Sequence, residues 1–162
     1  MAPIPKENLS ATLRLNQAIL HRHTQDLTQA DSLVQPPFQA NCMNWVLGHI
    51  LANRDTILNF LGLEKSLSSG EHQLYHRGSE RLTDADLASD LPQLLARLEK
   101  TKEQILLALE TIEPAGLDKT VHFGEDTPLG EVIDFLFWHE TYHIGQLELL
   151  RQVAGKNDPL IR

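Results

Sequence analysis

The sequence predicts an all-α fold, an up-down four-helix bundle forming one domain over residues 1–162. Four long segments place apolar residues at steps of three and four, the spacing that lines one face of a helix. No segment of similar length alternates as a half-buried strand does. The chain has 162 residues, 41% hydrophobic and 22% charged, which suffices for one well-formed core. Four amphipathic helices in a chain of this size bury their apolar faces most simply against one another.

The first helix is expected from about Glu7 to Gln35, with Leu9, Leu13, Asn16, Leu20, His23, Leu27, Ala30 and Val34 on its stripe. Pro36 and Pro37 stop it. The second runs from about Asn41 to Leu61, with Gly62 as a C-terminal cap. Its apolar stripe is Val46, Ile50, Ile57 and Leu61, beside a mixed row of Cys42, Val46, His49, Asn53, Thr56 and Phe60. From Leu63 to Leu82 the fragments SLSSG and HRGS read as a loop. It is longer than most connections in compact domains, as functional loops and lids often are.

The third helix is placed from about Ser89 to Ile112, with Pro92 in its first turn and a capping box expected from Thr83 and Asp86. Its stripe runs Leu87, Leu91, Leu94, Leu98, Ile105, Leu109 and Ile112. Pro114, Gly116 and Gly124 mark a second connection, from Glu113 to Asp126, in which TVHF reads as a short strand. The fourth helix begins with Thr127 as N-cap and Pro128 as the first helical residue, and runs to Ala154 before Gly155.

Composition narrows the function. A formal charge of -8 supplies no basic patch for a nucleic-acid backbone. There is no apolar run of the roughly 18 residues that a membrane helix needs. The segment MAPIPKENLS lacks an apolar signal region, and one cysteine allows no internal disulfide, so the expected compartment is the cytoplasm.

The most informative feature is the stripe of the fourth helix: Leu129, Val132, Leu136, His139, His143, Leu147, Leu150, Ala154. Two histidines interrupt an otherwise apolar face. Four apart, their Cβ atoms sit about 5–6 Å from each other and can converge on one ion. Burying two imidazoles without partners is unfavourable, so holding a metal is the favoured use.

HETYH also fits H-E-x-x-H, the zinc-protease pattern with Glu140 as general base. The further ligand which that pattern needs is missing, since no histidine follows His143 and Glu148 lies off its face. A di-iron bundle needs a second E-x-x-H, which the chain lacks. A third ligand must therefore come from upstream. His49 is the best choice, mid-helix beside the apolar stripe, and His23 is the second. His21 is off its stripe, while His72, His76 and His122 fall in expected loops.

Here the chain resembles the DinB/YfiT-like family. The resemblance is carried by NWVLGHILANR around His49 and FWHETYHIGQLELLRQ around His143, with HRGS between them. It covers roughly residues 8–155. It rests on Trp45, Gly48 and His49, then on His139, His143, Gly145 and Gln146. It implies a four-helix bundle with a three-histidine site at His49, His139 and His143, a bound divalent ion, a homodimer, and transfer of a low-molecular-weight thiol to a small electrophile.

The residues by themselves agree with such a site. Imidazole suits zinc, nickel, copper or iron about equally in kind; zinc or nickel is the expected ion, with iron or manganese as further choices. Three protein ligands leave a position open, as in catalytic rather than structural zinc sites. That position can activate water for hydrolysis or a thiol for transfer. Asn53 and Gln146, each near a site histidine on its helix, are read either as groups that orient an imidazole or touch substrate, or as simple packing. Glu140 is read as a solvated carboxylate or one behind the ligands, Trp45 as core or pocket wall, and Cys42 as a small buried hydrophobe. The competing reading is a metal-stabilised interaction module that does no chemistry, and a third is a metal-free bundle held by histidine hydrogen bonds.

Overall fold

A computed structural model describes residues 4–158, and the described chain is mainly helical. Helix α1 spans Lys6–Thr24 and buries Leu9, Leu13, Asn16, Leu20 and His23, as its stripe requires. It does not continue to Gln35. The backbone turns at Asp26, whose φ is +59°, and restarts as α2 at Gln29–Leu33. Thr28 caps α2: its hydroxyl accepts from the Asp31 N–H at 3.1 Å, and Asp31 accepts in return from the Thr28 N–H at 2.8 Å. This local box offers the backbone a better arrangement than one more turn of α1. Ala30 and Val34 consequently leave the stripe for the surface.

Helix α3 spans Met43–Phe60 and is followed by Gly62 with φ +74°. The segment expected as a loop contains another helix, α4, at Ser69–Tyr75. A reciprocal Ser68–Glu71 box starts it. Further on, Asp84 rather than Thr83 caps a single 3₁₀ turn at Ala85–Leu87, and Leu87 is 61% exposed instead of on the stripe. The Thr83–Asp86 box does not form, because the Asp84 carboxylate accepts from the Asp86 N–H at 3.0 Å.

Helix α5 spans Leu91–Thr111, capped by Asp90, with Pro92 in the first turn where its missing N–H disrupts nothing. A short α6 at Pro114–Leu117 precedes a hairpin of β1 (Thr120–Phe123) and β2 (Glu125–Pro128). The strands are antiparallel, with Val121 opposite Thr127 and His122 opposite Asp126, and Gly124 turns between them at φ +76°. TVHF is thus a strand, and its pairing recruits Thr127. The N-cap position of α7 falls instead to Pro128, which has no side-chain acceptor to offer. Helix α7 runs Leu129–Val153 and ends before Gly155, φ +82°.

The long helices pack as α1 against α5 and α7, and α3 against the same two. Two apolar clusters fill the interior. One gathers Leu13, Leu58, Leu109 and Phe137; the other gathers Leu20, Leu47, Leu98 and Leu147 and carries α4 through Tyr75. Along α3 and α7, Arg54 and Glu140 fall between the two clusters. The Arg54 guanidinium donates to both Glu140 oxygens at 2.9 and 2.7 Å, to Gln17 Oε1 at 2.9 Å and to the Leu98 carbonyl at 2.6 Å. Among the described residues, no helix is long and apolar enough to cross a membrane.

Candidate metal centre

His49 is set by three neighbours that the sequence places around it. Trp45, one turn earlier on α3, stacks on its ring at a centroid distance of 4.8 Å and 11° between planes. The indole N–H donates to the Leu74 carbonyl at 3.0 Å and to Ser79 Oγ at 2.9 Å, tying the stack to the end of α4. Gly48 leaves the surface of α3 bare, and the Tyr75 ring lies on it; a Cβ there would sit 2.3 Å from Tyr75 Cδ1. Tyr75 is fully buried, with its hydroxyl donating to Asn44 Oδ1 at 3.0 Å and accepting from the Ser89 N–H at 2.9 Å. So placed, its carbonyl accepts from His49 Nδ1–H at 2.7 Å. A carbonyl can only accept, so the ring proton is on Nδ1 and the Nε2 lone pair is free.

His139 and His143 project from α7 toward that ring. The three ring centroids are separated by 5.4 Å (His49–His139), 4.8 Å (His49–His143) and 4.4 Å (His139–His143). Gln146 Oε1 accepts from His143 Nδ1–H at 2.8 Å, which frees His143 Nε2 as well. His139 Nε2–H then donates to His143 Nε2 at 3.2 Å, while its Nδ1 faces the Asn53 amide at 3.4 Å. Asn53 Nδ2 also donates to the His49 carbonyl at 2.9 Å, so this amide connects α3 to α7 at the site.

All three imidazoles are poised neutral. Burial pushes His143 down to about 4, the Gln146 hydrogen bond opposing in part. Burial likewise lowers His49 and His139, and the Arg77 guanidinium adds to both effects. A neutral imidazole is the form that ligates a metal.

The donor set fits a divalent ion. Bonds of about 2.0–2.1 Å in tetrahedral array need donors about 3.3 Å apart. His139 and His143 meet that spacing, and one donor atom from each of the three residues lies within 4.8 Å of the others. Two of the three rings have Nδ1–H anchored on a carbonyl-type oxygen, the usual outer support of a metal-bound histidine. Binding through His139 Nε2 would move its proton to Nδ1, where the Asn53 amide could meet it with Oδ1.

The cluster is not sealed. A cavity of about 370 Å³ opens beside it, lined by all three histidines with Trp45, Tyr142, Gln146 and Arg77. A group in this cavity can approach the histidines from solvent.

The remaining expected residues are placed differently. His23 is buried, but near Arg151, whose guanidinium donates to the His23 carbonyl at 3.4 Å, and it is not part of the cluster. Glu140 is neither solvated nor behind the histidines. Its position on α7, one residue past His139, turns it into the core, where Arg54 takes both oxygens. Cys42 is buried, and burial pushes its thiol up. Sequence reasoning missed Tyr75 and Arg54. The Ser68-x-x-Glu71 box was the available sign that Tyr75 sits on a helix; an arginine inside the stripe-bearing region of α3 was the sign for Arg54.

The family profile of the DinB superfamily matches residues 12–147, a stretch that includes every residue of the cluster. The chain belongs to the DinB superfamily. The chain is also similar in fold to a solved structure, that of a conserved protein from Enterococcus faecalis. The TM-score is 0.70 at 13% identity, over 91% of this chain and 95% of the other. At that identity the likeness speaks to the fold alone. No curated protein matches the sequence.

Proposed function

We propose that this DinB-superfamily protein binds one divalent metal ion, zinc or nickel first, through Nε2 of His49, His139 and His143. We further propose that it is an enzyme acting on a small electrophile by thiol transfer or hydrolysis. The observation that carries this reading is the convergence of three neutral imidazoles beside an open cavity, two of them anchored so that Nε2 points inward. An ion there would supply Lewis acidity, lowering the pKa of a thiol or water in the remaining position.

The protein's part is to hold the three rings neutral and to fix their tautomers through Tyr75 and Gln146. Trp45 and Tyr142 give the reacting group an apolar wall. The four long helices support an up-down four-helix bundle as the frame. The resemblance in sequence supports a homodimer, and a single cysteine, which allows no internal disulfide, supports a cytoplasmic setting. Exposed Phe135, Trp138, Tyr142 and Leu149 on α7 offer apolar surface for a second copy.

The test is elemental analysis of untagged protein, alongside His49→Ala and His143→Ala. The expected result is one ion per chain, lost in both variants, with a lower melting temperature after chelation. Equal metal content in all three proteins would overturn the reading.

A further inference from the structure

The lining of the cavity is one-sided in charge. It includes Arg77 and no aspartate or glutamate, although the whole chain carries a formal charge of -8. Arg77 makes no ion pair among the described residues, whereas Arg54, Arg97 and Arg151 each hold a carboxylate. Its charge is felt at the cluster, where it disfavours protonation of His49 and His139. A divalent ion on three neutral imidazoles would add two further positive charges to the same space. In an acidic protein, such a spot concentrates anions.

One unpaired guanidinium at the rim presents a planar fork of N–H donors, the counterpart of a single carboxylate. A phosphate dianion calls for more donors than one arginine. We propose that the ligand of this cavity is a small molecule bearing a carboxylate, which pairs with Arg77 while the reactive end of the molecule reaches the histidine cluster. For the thiol reading this means a carboxylate-bearing thiol. That half rests on the proposed metal function; the carboxylate contact does not. Trp45, Tyr142 and Phe38 also line the cavity and offer apolar surface for a short aliphatic stem.

The test compares 3-mercaptopropionate with its methyl ester, which keeps the thiol and loses the charge. A Trp138→Phe background leaves Trp45 as the reporting indole, since the chain has two tryptophans and Trp138 is outside the cavity lining. Fluorescence titrations are run on cobalt-loaded and on chelator-treated protein. The acid is expected to bind at least tenfold tighter than the ester. Arg77→Met should bring the ratio close to one, and Arg77→Lys should retain part of it. Circular dichroism checks that the variants are folded, as substitution of an exposed side chain should allow. Equal binding of acid and ester, or a preference that survives Arg77→Met, overturns the inference even where cobalt strengthens both. An acid preference in both preparations, with no effect of cobalt on either probe, upholds the inference and instead counts against the metal reading.

Discussion

At the scale of single residues, the site depends on groups that never touch an ion. Gln146, besides lining the cavity, holds the His143 proton on Nδ1. Such outer partners typically contribute 10–100-fold to metal affinity. Gln146→Ala should therefore weaken zinc binding by roughly 10–100-fold in a competitive chelator titration, with little change in the melting temperature of the metal-free protein. Gly48→Ala should do the reverse in part. A Cβ 2.3 Å from the Tyr75 ring forces that ring off α3. Overpacking of this kind costs about 1–3 kcal/mol, to be read by chemical denaturation, and affinity should fall too, because the carbonyl that orients His49 moves with the ring. An unchanged denaturation midpoint would show that Tyr75 can relax without loss.

At the scale of elements, α3 and α7 are the pair that matters, since one carries His49 and the other His139 and His143. The Arg54–Glu140 ion pair pins them together at an interior level between the two apolar clusters. Removing one partner of a buried pair leaves a charge without compensation, so Arg54→Met should destabilise by about 3–5 kcal/mol. The double variant Arg54→Met with Glu140→Leu should recover most of that loss, because no lone charge remains. Urea unfolding of both variants decides this; a double variant no more stable than the single one would rule out the lone carboxylate as the cause. The same pair explains why H-E-x-x-H misleads here. On a helix, Glu140 points about 100° away from His139, and on this one that direction is the core.

At the scale of the whole molecule, stability should respond to pH in two windows. His143 has its pKa lowered from 6.5 to about 4 by burial. Between those values the unfolded chain binds a proton that the folded metal-free protein does not, so this contribution is complete above about 6.5 and is lost as pH falls toward 4. Glu71 is held down to about 2, from 4.5, chiefly by its hydrogen bond to Arg97, with burial opposing. Its contribution is complete above about 4.5 and is lost as pH falls toward 2. Denaturation of metal-free protein across this range should show both declines. His143→Ala should reduce the upper one, to which His49 and His139 also contribute, and leave the lower, to which the tie between α4 and α5 contributes.

Much of this could be read from local pattern. Spacings of three and four residues located the long helices and set His139 and His143 on one face, because helical periodicity is a property of the chain alone. The pattern also marked His49 as the upstream histidine that α7 would meet. What it left out depended on competition or on distance. Thr28 and Ser68 start short helices where periodicity suggested a continuation and a loop, since a capping box a few residues long outweighs a weak stripe. Thr127 went to the hairpin because strand pairing claimed its backbone. The direction of Glu140, the seat of Tyr75 on Gly48 and the cavity beside Arg77 were decided by tertiary structure alone. Each is a contact between residues far apart in sequence, and no spacing along one chain encodes which side chain lies opposite another until the helices have packed.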